Sequence, residues 1–458
     1  MKQFFKFMFA SMLGTFLVIL LFAFIAFIVF AAAIAGLQSE TSKSIAANSV
    51  LELKLDYQLQ ERAVSNPFAG FALTGFRINR RLGLNEVIDN IRKAQFDSDI
   101  RGIYLNLNNF LAGGLASVEA IRNQLIEFKK SGKFIYAYGN DISQKAFYLA
   151  SAADRIYLSP EGSLDFKGLS AELVFFKQTL EKLEIKPQIF QYGKFKSAVE
   201  PLKLDKMSPE NRTQTEEMLN SIYTNMLGNI SKSKNIEFSK LDDISKNMLI
   251  RSSADARKYN FVDSLIYFDE VINIIKQKIN FMKSKPLKFV SMEDYNLVEA
   301  SVSNSSENKI ALIYADGEIG SGEGNETTIG TENISDAIRK ARMDAGVKAI
   351  VMRVNSPGGD ALTSDLIWRE VTLARKEKPF IVSMGNVAAS GGYYISCAAD
   401  TIVAEPTTIT GSIGVFGIIN NMESFFKNKL GITFDRVKTG KYSDIGTMSR
   451  PLAQEEKV

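Results

Sequence analysis

Two short segments of this 458-residue chain carry residues that could form a serine nucleophile and its base. Ser390 lies in Val-Ala-Ala-Ser-Gly-Gly-Tyr-Tyr (387–394), and Lys196 lies in Gly-Lys-Phe-Lys-Ser-Ala-Val-Glu-Pro (193–201). A serine hydroxyl is a weak nucleophile until a base removes its proton, and a desolvated lysine can have a pKa low enough to act as that base. The two segments therefore predict acyl transfer, with Ser390 as nucleophile and Lys196 as general base.

The composition excludes several other kinds of catalytic site. The chain contains no histidine, so a Ser-His-Asp triad, a histidine zinc site and the HExxH metalloprotease pattern are impossible. Its single cysteine, Cys397, allows no internal disulfide and no cysteine metal cluster, and its apolar neighbours (395–399) predict a small buried residue. Hydrolysis would have to use Ser, Thr, Lys, Asp, Glu or Tyr, and we expect neither a metal nor another cofactor.

Glycine turns near Ser390 could stabilise a developing oxyanion. Gly391 follows Ser390 at a predicted strand-to-helix turn, where a helix N-terminus offers free N–H groups. Gly359, in Ser-Pro-Gly-Gly-Asp (356–360), follows another predicted strand, and we assign these two glycines as the oxyanion donors. Ser412, in the Gly-flanked segment 410–414, could orient the lysine amine. Lys194 is the rival base, but its repetition as Lys441 indicates a structural role.

An internal repeat provides the elements that must bring these residues together. Ile-Arg-Lys-Ala followed by an aspartate occurs at 91–97 and again at 338–344, an offset of 247. Later matches keep the same order with slips of one or two residues: Gly113-Gly114 with Gly358-Gly359, Gly139-Asn140 with Gly385-Asn386, Ala152-Ala153-Asp154 with Ala398-Ala399-Asp400, and Gly193-Lys194 with Gly440-Lys441. Ordered matches of this extent indicate a duplicated unit rather than two unrelated α/β domains.

Each unit alternates helical periodicity with short apolar runs. In the second unit we predict helices over 336–343, 361–375 and after Ser390, and strands over 348–354, 380–384 and 401–404. Short strands separated by helices are typical of βαβ crossovers and a mostly parallel sheet. The predicted fold class is therefore α/β, with tandem duplicated βαβ units.

The two copies differ at the proposed catalytic positions. Ser390 corresponds to Gln144 in the first unit, whereas Lys196 corresponds to Ser443 in the second. One unit keeps the serine and the other keeps the lysine, as a duplicated enzyme with one composite site per chain would. We therefore expect the fold to bring Lys196 to Ser390.

We divide the chain into an N-terminal membrane anchor (1–47), a first repeat that supplies the lysine (48–300) and a second repeat that supplies the serine (301–458). The Ser- and Asn-rich run 301–308 reads as the linker. At the repeat offset, Val458 corresponds to about position 211 of the first unit, which continues to about Tyr295. We expect the second repeat to be truncated, or else naturally short.

Residues 7–37 are almost wholly apolar and carry no charge, which exceeds the roughly 20 residues needed to span a bilayer. Lys2 and Lys6 precede this run, so the positive-inside rule predicts a cytoplasmic N-terminus and a translocated catalytic part. A cleaved signal peptide is the alternative, since Ala33-Ile34-Ala35 resembles a cleavage site, but the run is about twice as long as a signal core. The formal net charge of only +4 argues against nucleic-acid binding.

At these residues the chain resembles the signal peptide peptidase A family in its long, duplicated, membrane-anchored bacterial form, a serine peptidase group related to the Clp protease and crotonase folds. The resemblance covers nearly the whole chain: the N-terminal apolar run, Lys-Ser-Ala-Val-Glu-Pro (196–201), Val-Asn-Ser-Pro-Gly-Gly (354–359), Ala-Ala-Ser-Gly-Gly-Tyr (388–393) and Thr-Gly-Ser-Ile-Gly (410–414). It implies Ser390 as nucleophile, Lys196 as base and Ser412 as an assistant to the lysine. The early end at Val458 departs from the family pattern.

The resemblance also implies partners and a location. It implies a homotetramer on the periplasmic face of the bacterial cytoplasmic membrane, held in the lipid by a single pass, that degrades signal peptides left after export and other unfolded apolar peptides. Two alternatives remain at this stage. A crotonase-like acyl-CoA enzyme would need carboxylate bases near the glycine turns and would not need an anchor. A catalytically inactive, membrane-anchored peptide-binding scaffold would show no reaction at Ser390.

Overall fold

A computed structural model describes residues 2–38, 45–63, 81–298 and 306–457. It begins with one long apolar helix, α1 (Lys2–Gln38). The stretch Gln3–Ile25 has a mean hydropathy of 2.5 and packs against no other part of the described chain. By length and composition this helix is able to cross a membrane, although a signal sequence has the same properties. Most of the predicted linker (301–308) lies outside the described residues.

The first unit follows α1 and is a parallel sheet with helices on both faces. Its elements in chain order are β1 (Ser49–Lys54), α2 (Leu84–Phe96), β2 (Ile100–Asn106), α3 (Leu115–Lys129), β3 (Phe134–Ile142), α4 (Gln144–Ala150), β4 (Arg155–Leu164), α5 (Lys177–Lys182), β5 (Lys186–Tyr192), a 3-10 turn (Ser197–Val199), α6 (Glu200–Lys203), α7 (Pro209–Lys234), α8 (Phe238–Lys246), α9 (Ser253–Lys258), β6 (Ser264–Leu265), α10 (Phe268–Lys278), β7 (Val290–Ser291) and α11 (Met292–Asn296).

The first sheet has the strand order β6-β4-β3-β2-β1-β7, and all its pairings are parallel. Side chains of a strand alternate between its two faces. Ile103 and Leu105 of β2 therefore enter the main core, which α2, α3 and α4 also line. Tyr104 points to the opposite face, where it packs with Val271 and Ile275 of α10. Burial on both faces explains the continuous apolar runs of these strands.

The second unit repeats this plan. Its elements are β8 (Lys309–Asp316), β9 (Glu318–Ile319), β10 (Thr328–Ile329), α12 (Thr331–Met343), β11 (Val347–Ser356), α13 (Ala361–Ala374), β12 (Phe380–Ala389), α14 (Gly391–Ser396), β13 (Thr401–Val403), β14 (Ile409–Gly411), β15 (Val415–Asn421), α15 (Glu423–Leu430) and a 3-10 turn (Gln454–Glu456). The strands β8, β11, β12 and β13 are adjacent and parallel, in the order that β1, β2, β3 and β4 have in the first unit. The predicted α/β fold class is confirmed, and the shared strand order is consistent with the predicted duplication.

One two-stranded ribbon joins the units. β5 of the first unit pairs antiparallel with β15 of the second along its whole length, from Tyr192 opposite Val415 to Lys186 opposite Asn421. The predicted helices and strands of the second unit are present, but three of them, α12, β11 and β12, are longer. α12 begins at Thr331 rather than 336, where Asn333 caps the Gly330 N–H. β12 extends beyond Met384 to Ala389 because its last three residues pair with β14.

The prediction for Cys397 is wrong. This residue is exposed, at the C-terminal end of the short helix α14, where its Sγ contacts the Tyr394 carbonyl oxygen at 3.1 Å. The apolar neighbours Ile395 and Ala398 are buried as expected. Successive residues of a helix point to different sides, so a cysteine within an apolar run can still face solvent.

Candidate active site

Ser390 lies at a strained turn between β12 and α14. Its backbone has φ 54° and ψ −118°, a conformation that residues with a Cβ rarely adopt. The turn is held by two hydrogen bonds: Ser390 N–H donates to the Gly411 carbonyl at 2.8 Å, and Tyr394 N–H donates to the Ser390 carbonyl at 2.9 Å. Strain of this kind persists where surrounding structure enforces it and is concentrated at functional sites.

Lys196 extends from the first unit into contact with this turn. Its Nζ lies 2.9 Å from Ser390 Oγ, 3.1 Å from Ser412 Oγ and 2.7 Å from the Ser412 carbonyl oxygen. The structure thus brings together the three side chains that the sequence singled out. Lys194, the rival base, is exposed.

The environment of Lys196 favours its neutral amine. The residue is 3% exposed, and burial lowers its pKa below the ordinary lysine value. Within the described chain, no carboxylate forms an ion pair with its Nζ. The amine lies over the Phe416 ring, with the ring centroid 6.0 Å from Nζ. Three polar contacts hold the amine against Ser390 without a charged partner that would restore the ordinary pKa.

Two strand pairings produce this arrangement. β14 pairs with the end of β12, with Gly411 opposite Ala389, and this places Ser412 beside Ser390. The β5–β15 ribbon then brings the residues after Tyr192 to the segment before Val415. The approach is close: a Cβ on Gly414 (φ +133°) would lie 2.4 Å from the Tyr192 carbonyl oxygen and 3.2 Å from Lys196 Cβ. Only glycine fits at this position.

The two glycine turns meet at Ser390. A Cβ on Gly358 would lie 2.5 Å from Gly391 N and 2.8 Å from Ser390 Cβ, and a Cβ on Gly359 would overlap the Ile319 carbonyl oxygen at 2.0 Å. Within the described chain, neither the Gly359 N–H nor the Gly391 N–H has a hydrogen-bond acceptor. Both predicted oxyanion donors therefore lie on turns that border Ser390.

The corresponding position in the first unit is occupied by its own side chains. The Gln144 side-chain oxygen accepts hydrogen bonds from the Lys167 and Gly168 N–H groups at 2.9 and 3.1 Å. Lys145, which replaces Gly391, donates from Nζ to the Gly113 carbonyl at 2.6 Å. The first unit thus has the Gln144 side chain where the second unit has Ser390, and the Lys145 side chain where the second unit has Gly391.

Sequence reasoning missed two residues that support the site. Ser356 is completely buried, and its Oγ accepts the Gly358 N–H at 3.1 Å, which fixes the glycine turn. Gln191 donates from its side chain to the Lys196 carbonyl at 2.5 Å. The predicted glycine motif contains Ser356, but nothing in its pattern distinguishes a turn-holding serine from a surface one.

A third missed residue, Asn386, links the two units four residues before Ser390. Helix α3 begins after Gly114, which has no side chain to cap it. Asn386 of β12 supplies the cap instead: its Oδ1 accepts the Ser117 N–H at 3.0 Å, and its Nδ2 donates to Ser117 Oγ at 2.7 Å. The strand that ends at Ser390 is thereby anchored to a helix of the other unit.

The amino-acid sequence is similar to those of known peptidases. Residues 127–281 and 372–458 match the sequence profile of peptidase family S49. The chain is 37% identical to Protease 4 of Salmonella typhi over 81% of this chain and 61% of that protein. It is 35% identical to Protease 4 of Haemophilus influenzae, over 94% of this chain and 72% of the relative. It is also 35% identical to the chloroplastic serine protease SPPA of Arabidopsis thaliana, over 83% and 57%. The chain therefore spans between 57% and 72% of the length of these relatives.

Proposed function

The chain belongs to peptidase family S49, and from that premise we propose that it is a serine endopeptidase with a Ser390–Lys196 dyad. The observation that carries the proposal is the 2.9 Å separation between Lys196 Nζ and Ser390 Oγ. A nucleophile and a base within hydrogen-bond distance, with the base buried and its pKa lowered, are what covalent catalysis by a serine requires.

In the first step, neutral Lys196 takes the proton of Ser390 Oγ while Oγ bonds to the carbonyl carbon of the scissile peptide. The carbonyl electrons move to oxygen, and the N–H groups of Gly359 and Gly391 stabilise the resulting oxyanion. Ser412 holds the lysine amine in line with Ser390, through its hydroxyl and its carbonyl.

In the second step, the tetrahedral intermediate collapses and the C–N bond breaks. Lys196 gives its proton to the leaving amine and becomes neutral again. A water molecule, deprotonated by Lys196, then attacks the carbonyl carbon of the acyl-enzyme ester. As the ester C–O bond breaks, Lys196 returns that proton to Ser390 Oγ, and the acyl group leaves as the carboxylic acid product, which ionises in solution. The proton therefore moves on and off one nitrogen throughout, and no further base is required.

Apolar side chains beside the dyad support unfolded, apolar peptides as substrates. Phe195 precedes Lys196 and is 53% exposed, and Ile413 follows Ser412 and is 71% exposed. Val415 and Phe416 continue this exposed surface along β15. Signal peptides released after export have the required apolar, extended character, and we propose them as the natural substrates.

The remaining expectations belong to the same proposal. α1 would act as an uncleaved single-pass anchor in the bacterial cytoplasmic membrane, with the catalytic part on the periplasmic side and with homotetramers as the assembly. The division at 1–47, 48–300 and 301–458 would separate the anchor, the lysine-bearing repeat and the serine-bearing repeat. The length and apolarity of α1 support the anchor.

Hydrolysis of a fluorogenic signal-like peptide by the detergent-solubilised chain tests the proposal. Ser390→Ala and Lys196→Ala should each lower kcat/KM by at least about 1000-fold, because each removes a member of one catalytic unit. Lys194→Ala and Ser443→Ala are the matched controls, since both residues are exposed. Lys194 is the rival base, and Ser443 occupies the position of the second unit that corresponds to Lys196. They should retain activity. Undiminished hydrolysis by both dyad variants would exclude this site, and absence of any Ser390-dependent reaction would favour the peptide-binding scaffold.

A further inference from the structure

A strongly basic stretch of the first unit has no part in the proposed catalysis. Residues 276–288 read Lys-Gln-Lys-Ile-Asn-Phe-Met-Lys-Ser-Lys-Pro-Leu-Lys, with five lysines and no acidic residue. Lys276 is buried, and its Nζ donates to the Lys283 carbonyl at 3.1 Å. The other four are exposed, and none of them forms an ion pair within the described chain: Lys278, Lys283, Lys285 and Lys288.

The fold places this stretch at the edge of the first sheet where its strands begin. α10 ends at Lys278, which lines a cleft together with Arg101 near the start of β2 and Lys133 just before β3. Lys288 lies two residues before β7, which pairs in parallel with β1. The stretch therefore lies beside the start of β1, where the chain enters the first unit.

The N-terminal apolar helix is connected to this same edge. α1 ends at Gln38 and β1 begins at Ser49, so ten residues join them. A fully extended chain of ten residues reaches at most about 35 Å. The inference rests on the proposed anchor: with α1 in a bilayer, the start of β1 and the edge that carries the lysines are tethered within about 35 Å of the end of that helix.

Exposed apolar side chains accompany the lysines. Met282, within the basic stretch, is 61% exposed. Phe96, at the end of α2, is 80% exposed and lies three residues before Asp99, whose carbonyl accepts the Ser49 N–H. Lysines interspersed with exposed apolar residues are typical of surfaces that rest at the headgroup level of a bilayer.

We propose that this surface, the four exposed lysines with Met282 and Phe96, is a membrane-docking edge that binds the headgroups of anionic phospholipids. Arg101 and Lys133 add to its positive charge. The acidic groups near it are Asp97 and Asp99, and Asp97 already accepts a hydrogen bond from the Tyr295 hydroxyl. Each lysine brought to an anionic bilayer surface strengthens binding about fivefold.

The docking edge would limit the tilting of the first unit on its anchor. A single helix tethers the first unit but leaves it free to tilt, whereas a second contact beside the entry of β1 fixes its orientation. The edge where the strands end would then face away from the bilayer. Because the contact is electrostatic, it should weaken as salt shortens the range of charge interactions.

Amide hydrogen exchange of the full chain in lipid nanodiscs tests this proposal. Discs of phosphatidylcholine alone are compared with discs that also contain phosphatidylglycerol. We expect exchange across residues 276–290 to slow at least about threefold in the anionic discs, and the difference to disappear at about 0.5 M salt. Exchange in the rest of the chain reports whether each variant is folded.

A charge-matched pair of variants completes the experiment. K278Q/K283Q/K285Q/K288Q should abolish the lipid-dependent slowing. The control K182Q/K186Q/K206Q/K427Q removes four other exposed lysines, near the β5–β15 ribbon, and should retain it. Equal exchange in both kinds of disc would overturn the proposal, as would a control variant that loses the effect. Failure of the chain to co-elute with either kind of disc would also overturn it. Slowing in detergent that depends on protein concentration would indicate that a second copy of the chain covers this edge, and would overturn it as well.

Discussion

Ser390 combines a strained backbone with a side chain that contacts a buried amine. Serine alone would be a poor nucleophile, and lysine alone would be protonated in water. Their effects depend on each other: the lysine must lose solvent to become a base, and the serine must be held at positive φ to meet it. Two separate measurements therefore test these residues, one of the pKa of the Lys196 amine and one of the backbone strain at Ser390.

The first prediction concerns pH. Burial lowers the pKa of Lys196 from the ordinary 10.5, and only the neutral amine can accept the serine proton. We expect kcat/KM to rise with pH through the Lys196 pKa, falling about tenfold per unit below it, with a midpoint below 10.5. A pH–rate profile of the full chain measures this. Lys194→Ala should keep the same limb, and a midpoint at the ordinary lysine pKa would contradict the general-base role.

The lowered pKa also has a consequence for stability. Between the Lys196 pKa and 10.5, the unfolded chain binds a proton that the folded chain does not. Folding stability should therefore rise with pH across that window. Conversely, this contribution is lost as the pH falls from 10.5 to the folded pKa, and stability then changes no further from this group.

The second prediction concerns backbone strain at Ser390. A positive φ costs a residue with a Cβ roughly 1–3 kcal/mol, whereas glycine adopts it freely. Ser390→Gly and Ser390→Ala should both be inactive, but the glycine variant should have the higher free energy of unfolding by roughly 1 kcal/mol, after allowance for its more flexible unfolded chain. Denaturant unfolding of the pair measures this. Equal stabilities would mean that the turn is not strained.

At the scale of elements, the β5–β15 ribbon matters most. It is the structure that carries Lys196 out of its own unit and to Ser390 of the other. The strands of each sheet position the serine, but nothing within either sheet positions the lysine. A small displacement of the ribbon should therefore affect catalysis far more than folding.

The third prediction tests the ribbon through its glycines. Gly414→Ala should place a Cβ against the Tyr192 carbonyl oxygen and Lys196, and so shift the amine from Ser390. A misplacement of about 1 Å can cost roughly 100-fold, and we expect a loss of that size in kcat/KM. Gly417→Ala, three residues further along and within β15, has no atom within 4 Å of its Cβ; it is the control and should remain within a few-fold of the unmodified chain. Full activity of Gly414→Ala would show that the close approach is not needed.

At the scale of the whole molecule, buried polar contacts hold the two units together. Besides Asn386 and Ser117, Thr407 Oγ1 donates to the buried carboxylate of Glu119 at 2.7 Å. Arg353 Nε lies 2.8 Å from Glu61 Oε2, with Glu61 only 3% exposed. Burial raises the pKa of Glu61, and Arg353 opposes that shift. Because the site is shared between units, these contacts support the dyad geometry as well as the fold.

The fourth prediction concerns this ion pair. Arg353→Met leaves the Glu61 carboxylate buried without its cation, which should lower the free energy of unfolding by roughly 3 kcal/mol. Glu61→Gln in the same chain should recover much of that loss. Without Arg353 the folded pKa of Glu61 rises further above its unfolded value, so the deficit should shrink as the pH falls through it. Denaturant unfolding at several pH values measures these differences.

The matched control for the ion pair is Arg92→Met. Arg92 and Asp89 form an exposed pair with side chains 59% and 66% exposed. Exposed pairs contribute little, so a change of at most about 0.5 kcal/mol is expected. A comparable loss from both arginines would mean that burial does not distinguish them.

Local patterns in the sequence determined much of this protein. Apolar periodicity predicted the α/β units, and the ordered repeat predicted their duplication, because both depend on residues close together in the chain. The glycine turns could be located because positive φ and close approach require glycine, as the backbone at 358, 359 and 414 shows. The absence of histidine excluded whole classes of catalytic site.

Tertiary structure alone decided the contacts between distant residues. The sequence predicted that Lys196 and Ser390 should meet, but only the pairing of β5 with β15 and of β12 with β14 puts their atoms 2.9 Å apart. The support from Ser356 and Asn386, and the exposure of Cys397, likewise depend on which surfaces face each other. Strand register and packing between units arise from the balance of many weak long-range contacts, and no local pattern of residues encodes that balance.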